Sequence, residues 1–182
     1  MGNYVAIDRT TKFAFVELHE KGTRRVAGDF LRHLIEALPY KVHTVLTDNG
    51  TCLTKPGNVA SAASIIKEAI AVEETFRAHS FELACARNDI DHRLTKPRYP
   101  WTNGQVERMN RTIKDATVKR YHYDSHGQLR AHLTDFVSAY NFAQRPKTLR
   151  GLTPYEAICK ALTGESNHFR PDPLHHMPGL NI

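Results

Sequence analysis

His92-Arg93-Leu94-Thr95-Lys96-Pro97-Arg98-Tyr99-Pro100-Trp101-Thr102-Asn103-Gly104-Gln105-Val106-Glu107-Arg108 carries the strongest fold signal in the chain. It is a basic segment, punctuated by two prolines, that runs into a helical pattern. Thr102 with Gln105 three residues later fits a capping box, and Val106, Met109, Ile113 and Ala116 keep one helix face apolar. Glu107 is expected at the edge of that face, turned inward. Upstream, Val45-Leu46-Thr47-Asp48-Asn49-Gly50 reads as a strand that stops at an acid, followed by an Asn-Gly turn. Side chains at such strand ends are exposed in α/β proteins. A strand-end acid facing a helix acid can hold a divalent cation against phosphate.

Nearer the N-terminus, residues 4–8 and 12–18 are rich in Val, Ile and Phe around Arg9-Thr10-Thr11, which predicts a strand hairpin. From Thr23, Val26, Ala27, Phe30, Leu31, Leu34, Ile35 and Leu38 recur at helical spacing until Pro39 stops them. Residues 41–47 then read as the strand that ends at Asp48. An Ala-rich helical stretch with Ile65, Ile66, Ala69, Ile70 and Phe76 follows, and residues 81–87 continue as helix. Residues 91–94 suit a short strand. A helix over 128–144 carries Leu129, Leu133, Phe136, Val137 and Tyr140 on one stripe. Thr153-Pro154-Tyr155-Glu156 opens another, with an N-cap, a proline at the first helical position and an acid at the third, ending near Gly164.

The 182 residues suffice for one domain with a sizeable core, taken as residues 1–162 with a tail at 163–182. The 25 Lys and Arg against 19 Asp and Glu give a net charge of +6, which favours a polyanionic partner without proving one. Cys52, Cys85 and Cys159 are widely spaced and never in a C-x-x-C pair, which argues against a disulfide framework or a zinc site and for reduced, cytoplasmic cysteines. The eleven histidines, His175-His176 included, show no ligand spacing. No apolar run approaches the roughly 18 residues of a membrane span, so a soluble, intracellular protein without a membrane partner is expected.

Metal-dependent phosphoryl transfer needs hard oxygen ligands, since Mg2+ prefers carboxylate, water and phosphate oxygens. Asp48 and Glu107 qualify. Arg111 and Lys114 follow Glu107 at i+4 and i+7, so a metal ligand and two cations could share a face that meets DNA phosphates. Each residue also has a plainer reading. Asp-Asn-Gly is an ordinary turn, Glu107 with Arg111 is commonly a solvated i,i+4 pair, and Arg108, Lys119 and Arg120 suit a solubilised surface. Trp101 serves equally for stacking on a base or covering the core edge.

Thr47-Asp48-Asn49-Gly50, His92 with Pro97 and Pro100, and Thr102-Asn103-Gly104-Gln105-Val106-Glu107-Arg108 together resemble the catalytic core of bacterial insertion-sequence transposases related to retroviral integrases. Tyr140-Asn141 before Arg145-Pro146, then Leu152-Thr153-Pro154-Tyr155-Glu156, resemble the end of that domain, in the right order. The resemblance implies an α/β, RNase H-like mixed sheet flanked by helices. It further implies a triad of two aspartates and a glutamate that binds two Mg2+ or Mn2+ ions for DNA cleavage and strand transfer at transposon ends. By position, Asp48 matches the second aspartate and Glu107 the glutamate, as catalytic and metal-binding residues. Asn103 and Gly104 match the loop that sets the helix near DNA. Lys96, Arg98, Asn103, Arg108, Arg111 and Lys114 are the expected DNA contacts, and the expected partners are transposon-end and target DNA. Multimeric action in the family implies a homo-oligomer or a mixed assembly with full-length transposase, in the bacterial cytoplasm with the nucleoid.

The match departs from the family at its start. The family's first aspartate lies on the first strand, before a hairpin strand ending in a second, non-catalytic aspartate. Val5-Ala6-Ile7-Asp8-Arg9-Thr10-Thr11-Lys12 resembles that hairpin strand. The expectation is therefore an N-terminally incomplete core without its first, central strand, with unpaired backbone edges and poor stability. Loss of one ligand of a cooperating set is expected to remove nearly all activity. The alternative is that Asp8 substitutes as the ligand. Residues 51–80 are also longer than the corresponding segment of the simplest family members. Beside the enzyme, two other classes stay open: an inactive DNA-binding module, and a fragment that associates with an intact transposase.

Overall fold

The computed structural model describes residues 2–48, 80–95 and 103–164. In chain order these form β1 (Gly2–Ile7), β2 (Ala14–His19), α1 (Arg24–Ala37), β3 (Thr44–Thr47), α2 (Ser80–Arg87), β4 (Asp91–Leu94), α3 (Gly104–Ala116), α4 (His126–Phe142), a 3-10 turn (Lys147–Leu149) and α5 (Pro154–Gly164). They gather into two compact units, one built on His19–Asn103, the other on Asn3–Leu18 with Gly104–His168. The Asn49-Gly50 turn, the Ala-rich stretch, Lys96, Arg98, Trp101, Thr102 and residues 165–182 of the expected tail lie outside the described residues.

In the first unit α1 starts where the periodicity predicts. Thr23 caps it, its hydroxyl accepting from the Val26 N–H at 3.3 Å. Phe30, Leu31, Leu34 and Ile35 are buried along one stripe, each stabilising by about 1.5–3 kcal/mol relative to exposure. The helix stops at Leu38, extended at φ −91° and ψ 132°, as a residue before proline prefers. α1 meets α2 closely at Gly28, where a Cβ would lie 3.0 Å from both Ser80 Cβ and Ser80 O, so a larger residue would require α2 to shift by a few tenths of an ångström. α2 turns out through Asp89, at φ 56°, into β4. β4 has four residues, so β3 pairs in parallel over only four, from Thr44 opposite Asp91 to Thr47 opposite Leu94. The strand expected over 41–47 is shorter for that reason.

In the second unit β1 and β2 form a two-stranded hairpin. Its turn is wider than Arg9-Thr10-Thr11 suggested and occupies residues 8–13. Asp8 organises it: Oδ1 accepts from the Thr10 N–H and Oδ2 from the Thr11 hydroxyl, both at 2.8 Å. Its backbone N–H donates to Phe13 O at 2.8 Å, and its carbonyl accepts from the Lys12 N–H at 3.0 Å. Lys12 consequently sits at φ 62°, a left-handed conformation that costs a residue with a Cβ about 1–3 kcal/mol.

The core of this unit joins Ala14, Met109, Ile113 and Leu133, with Val5, Ile7, Val16, Leu18, Phe136, Val137 and Tyr140 packed around them. The apolar stripes predicted on α3 and α4 are the faces that meet here. α4 begins at His126, two residues before its expected start, because the Ser125 hydroxyl accepts from the Gln128 N–H at 3.2 Å. Asn141 is 3% exposed and reaches β2 across the core. The Ala14 N–H donates to its Oδ1 at 2.9 Å, and its Nδ2 donates to Ala14 O at 2.8 Å. A side-chain amide thereby serves both backbone groups of the residue that opens β2.

α5 carries the capping box its sequence announces. The Glu156 N–H donates to Thr153 Oγ1 at 3.1 Å, and the Thr153 N–H donates to Glu156 Oε2 at 2.9 Å. Arg145 completes it as a fork on Glu156, at 2.8 and 3.0 Å, and also donates to Gly151 O. The Thr153 N–H and the Arg145 guanidinium hold the Glu156 carboxyl below the usual carboxylate range.

Candidate functional site

Asp48 is exposed immediately after β3, in the first unit. The last rungs of the parallel pair set its position: the Thr95 N–H donates to Thr47 O at 2.8 Å, so the ladder closes one residue before the acid. Beneath it the Thr47 hydroxyl is buried and hydrogen-bonded to His92 Nε2 at 2.8 Å, and the His92 ring meets Phe81 edge-on with centroids 5.1 Å apart. Thr47 and His92 are supports that sequence reasoning misses. Only the family motif marks His92, and its partner lies 45 positions away.

Glu107 lies in the first turn of α3, in the second unit. The apolar periodicity predicts it inward, at the edge of the buried face. It is instead exposed, because Met109 and Ile113 define the buried line and Glu107 falls more than a quarter turn away from it. Nor does it pair with Arg111: among the described residues the Glu107 side chain has no hydrogen-bond or ion-pair partner. Arg108, Arg111 and Lys114 are exposed on the same side of α3. The helix brings these four groups together, as their spacing predicts.

The first turn is framed differently from the sequence expectation. α3 starts at Gly104, so Gln105 stands at the second helical position; the capping box expected from Thr102 rests on a residue outside the described ones. The Gln105 side chain faces the hairpin turn instead, where its Oε1 accepts from Lys12 Nζ at 3.3 Å. Asn103 directly precedes the helix and is half-buried. Lys96 and Arg98 are outside the described residues.

Asp8 belongs to the same unit as Glu107, with both carboxylate oxygens engaged in its own turn. Among the described residues no group of three His, Cys, Asp or Glu side chains comes together in a way that could hold a metal ion. The donors fit a hard divalent cation in kind, as exposed carboxylates at a strand end and on a helix. No described helix is long and apolar enough to cross a membrane.

Other reactive groups lie elsewhere. Burial pushes the Cys85 thiol up to about 12, which keeps it protonated and inert inside the first unit. Beyond the last turn of α3, a depression of about 570 Å³ is lined by residues that include Val118, Tyr121, His122 and Tyr123. There the Tyr123 hydroxyl and His132 Nδ1 are hydrogen-bonded at 2.6 Å.

With this geometry in view, residues 88–154 match the integrase core domain family, a span that contains Glu107, Asn141 and Arg145. The chain is 28% identical over 156 residues to the uncharacterized protein K02A2.6 of Caenorhabditis elegans. That alignment covers 84% of this chain and 10% of the relative, so the chain spans about a tenth of that protein's length. Among solved structures, the catalytic core domain of BIV integrase superposes with a TM-score of 0.61 at 21% identity, covering 90% of this chain and 89% of that one. The simian T-cell lymphotropic virus intasome in complex with the PP2A regulatory subunit B56 gamma gives 0.60 at 19% identity, covering 99% of this chain and 50% of that one. The fold is the mixed α/β, RNase H-like arrangement of integrase catalytic cores.

Proposed function

We propose that this chain works in DNA integration or transposition, as a core that binds duplex DNA and contributes Asp48 and Glu107 as carboxylate ligands for Mg2+ or Mn2+ in cleavage and strand transfer. The observation that carries the reading is Glu107: exposed, its side chain without a partner among the described residues, in the first turn of a helix that displays Arg108, Arg111 and Lys114. It lies inside the segment that matches the integrase core family. Divalent ions bound there would activate the attacking oxygen and stabilise the leaving one. The chain's own contribution is to present hard oxygen donors beside cations that orient phosphates. An insertion-sequence transposase is the finer reading, carried by the Thr47-Asp48-Asn49-Gly50 and Gln105-Val106-Glu107-Arg108 motifs.

One observation favours a second reading, a core that binds DNA without cutting it. Asp8, in the second unit, is the candidate third carboxylate, and its oxygens accept from the Thr10 N–H and the Thr11 hydroxyl. A set short of one ligand loses nearly all its activity while its hold on phosphates survives.

The test combines binding of a short duplex over a range of salt with nicking of supercoiled plasmid in Mn2+. The first reading expects salt-dependent binding and Mn2+-dependent nicking that Asp48→Asn and Glu107→Gln abolish and Asp8→Asn leaves intact. The second expects the same binding, retained in chelator and in Glu107→Gln, with no nicking above buffer. Loss of nicking in Asp8→Asn would restore Asp8 as a ligand. Absence of duplex binding contradicts both readings.

A further inference from the structure

We infer that the hairpin turn of residues 8–13 is a phosphate-binding element in its own right, in which Arg9 and Lys12 extend the cationic band of α3 along a DNA strand. The inference rests on the DNA-binding reading of α3 and adds residues that neither the motif resemblance nor the family match singles out.

Lys12 takes a left-handed φ of 62°, which glycine accepts without strain, yet the position carries a long cationic side chain. That side chain is held in place: Nζ donates to Arg9 O within the turn and to Gln105 Oε1 on the first turn of α3 at 3.3 Å. An ammonium has three donors, so one remains for an outside acceptor. Gln105 and Arg108 are i,i+3 neighbours, which puts the fixed ammonium alongside Arg108 on the helix surface. From Arg108 to Lys114 the helix advances about 9 Å, and the turn prolongs this row past the helix flank. A row of that length suits successive phosphates of a polyanion better than one carboxylate.

Arg9, Arg108, Arg111 and Lys114 are exposed, and neither they nor Lys12 has a carboxylate partner among the described residues. Elsewhere in the same unit Lys119 pairs with Asp115 and Arg145 with Glu156. Of the acids near the band, Asp8 is engaged in the turn and Asp115 is paired, leaving Glu107. Unpaired cations concentrated on one face make a surface complementary to nucleic-acid backbone.

The experiment uses the full 182-residue chain and a fluorescent duplex, with affinity measured by anisotropy across a series of salt concentrations. Arg9→Gln and Lys12→Gly are the test variants and Arg111→Gln is the reference. Lys12→Gly fits the left-handed backbone and removes the ammonium. Arg9→Gln removes a side chain that has no partner among the described residues, so it keeps the test valid if Lys12→Gly fails to fold. Each is expected to flatten the plot of log affinity against log salt by about 0.9 for every phosphate left without its cation. Lys12→Arg is expected to restore most of the slope, which a purely structural role through Gln105 would not require. If Arg111→Gln flattens the plot and both turn variants leave it unchanged, the inference fails and the DNA-binding reading stands. If the wild-type chain shows no salt-dependent binding, both fail. A band that instead recognises an acidic protein gives unchanged DNA slopes in the turn variants, and that too overturns the inference.

Discussion

The first and last turns of α3 carry the same sequence pattern and do different things with it. Glu107 and Arg111 stand four positions apart near the start of the helix; Asp115 stands in its last turn, four positions before Lys119 in the turn that follows. Both carboxylates are exposed and both precede their cation, the favourable order for an i,i+4 pair. Asp115 and Lys119 close at 2.7 Å, while the Glu107 side chain remains without a partner among the described residues. Position along the helix dipole supplies a reason. A carboxylate in the first turn is stabilised by the helix N-terminus without a partner, and a cation at the C-terminal end is stabilised there as well. Charge spacing alone therefore does not separate a solvated pair from a ligand-facing group. Asp8 sharpens the point, since its hydrogen bonds hold the backbone of its own turn.

Breaking the frame that holds the hairpin to the helices should have the greatest consequence. Asn141→Leu removes two buried hydrogen bonds and strands the N–H and C=O of Ala14, which should cost about 3 kcal/mol in urea unfolding. A neutral substitution of Asp115 should stay within about 0.5 kcal/mol. If both cost the same, the amide does not support the frame.

Next in size is an effect on the partner rather than on the fold. Replacing Arg108 and Arg111 together by Gln should reduce the salt dependence of duplex binding by about 1.8, the value for two phosphates neutralised by these side chains. Replacing the paired Lys119 should leave it unchanged. Equal losses would erase the distinction between the two ends of the helix.

A smaller effect follows acid. The Glu156 carboxyl is held low by the Thr153 N–H and Arg145, so its stabilisation is present above its unfolded value and is lost as pH falls through the lower folded value. Unfolding midpoints followed from about pH 5 downward should therefore decline more steeply in the wild type than in Glu156→Gln. Parallel curves would mean the Arg145 fork contributes nothing. Smallest of all is a coupling energy. A double-mutant cycle on Asp115 and Lys119 should return about 0.3–0.5 kcal/mol, and the same cycle on Glu107 and Arg111 about zero.

The elements were legible where local chemistry decides them. Thr23, Thr153, Pro154 and Glu156 marked helix starts, Pro39 marked an end, and the apolar stripes of α1, α3 and α4 marked the faces that pack. Partners distant in sequence could not be read this way. Asn141 meets Ala14 across 127 positions, and Lys12 meets Gln105 across 93, so no window of periodicity spans either pair. Asn141 stood out only as part of a family motif, and its hydrogen bonds to Ala14 give that position a physical reason. Glu107 was legible as the acid of a helical pattern, with its family role added by the resemblance, and its inward placement was wrong because Met109 and Ile113 fix the buried line of α3. Asp8 was set apart from the catalytic acids only by resemblance, with its use as a substitute ligand left open; its hydrogen bonds to Thr10 and Thr11 were not legible as such in the sequence.

Titrating Mn2+ into isotope-labelled protein, and following paramagnetic broadening of the backbone amides, would separate the carboxylates proposed as metal ligands, Asp48 and Glu107, from Asp8 and Asp115, whose oxygens have partners within the fold. Broadening is predicted around Asp48 and around the first turn of α3, and it should be lost in Asp48→Asn and in Glu107→Gln. Broadening centred on Asp8 or Asp115, or broadening that persists in Glu107→Gln, would contradict that division of the acids.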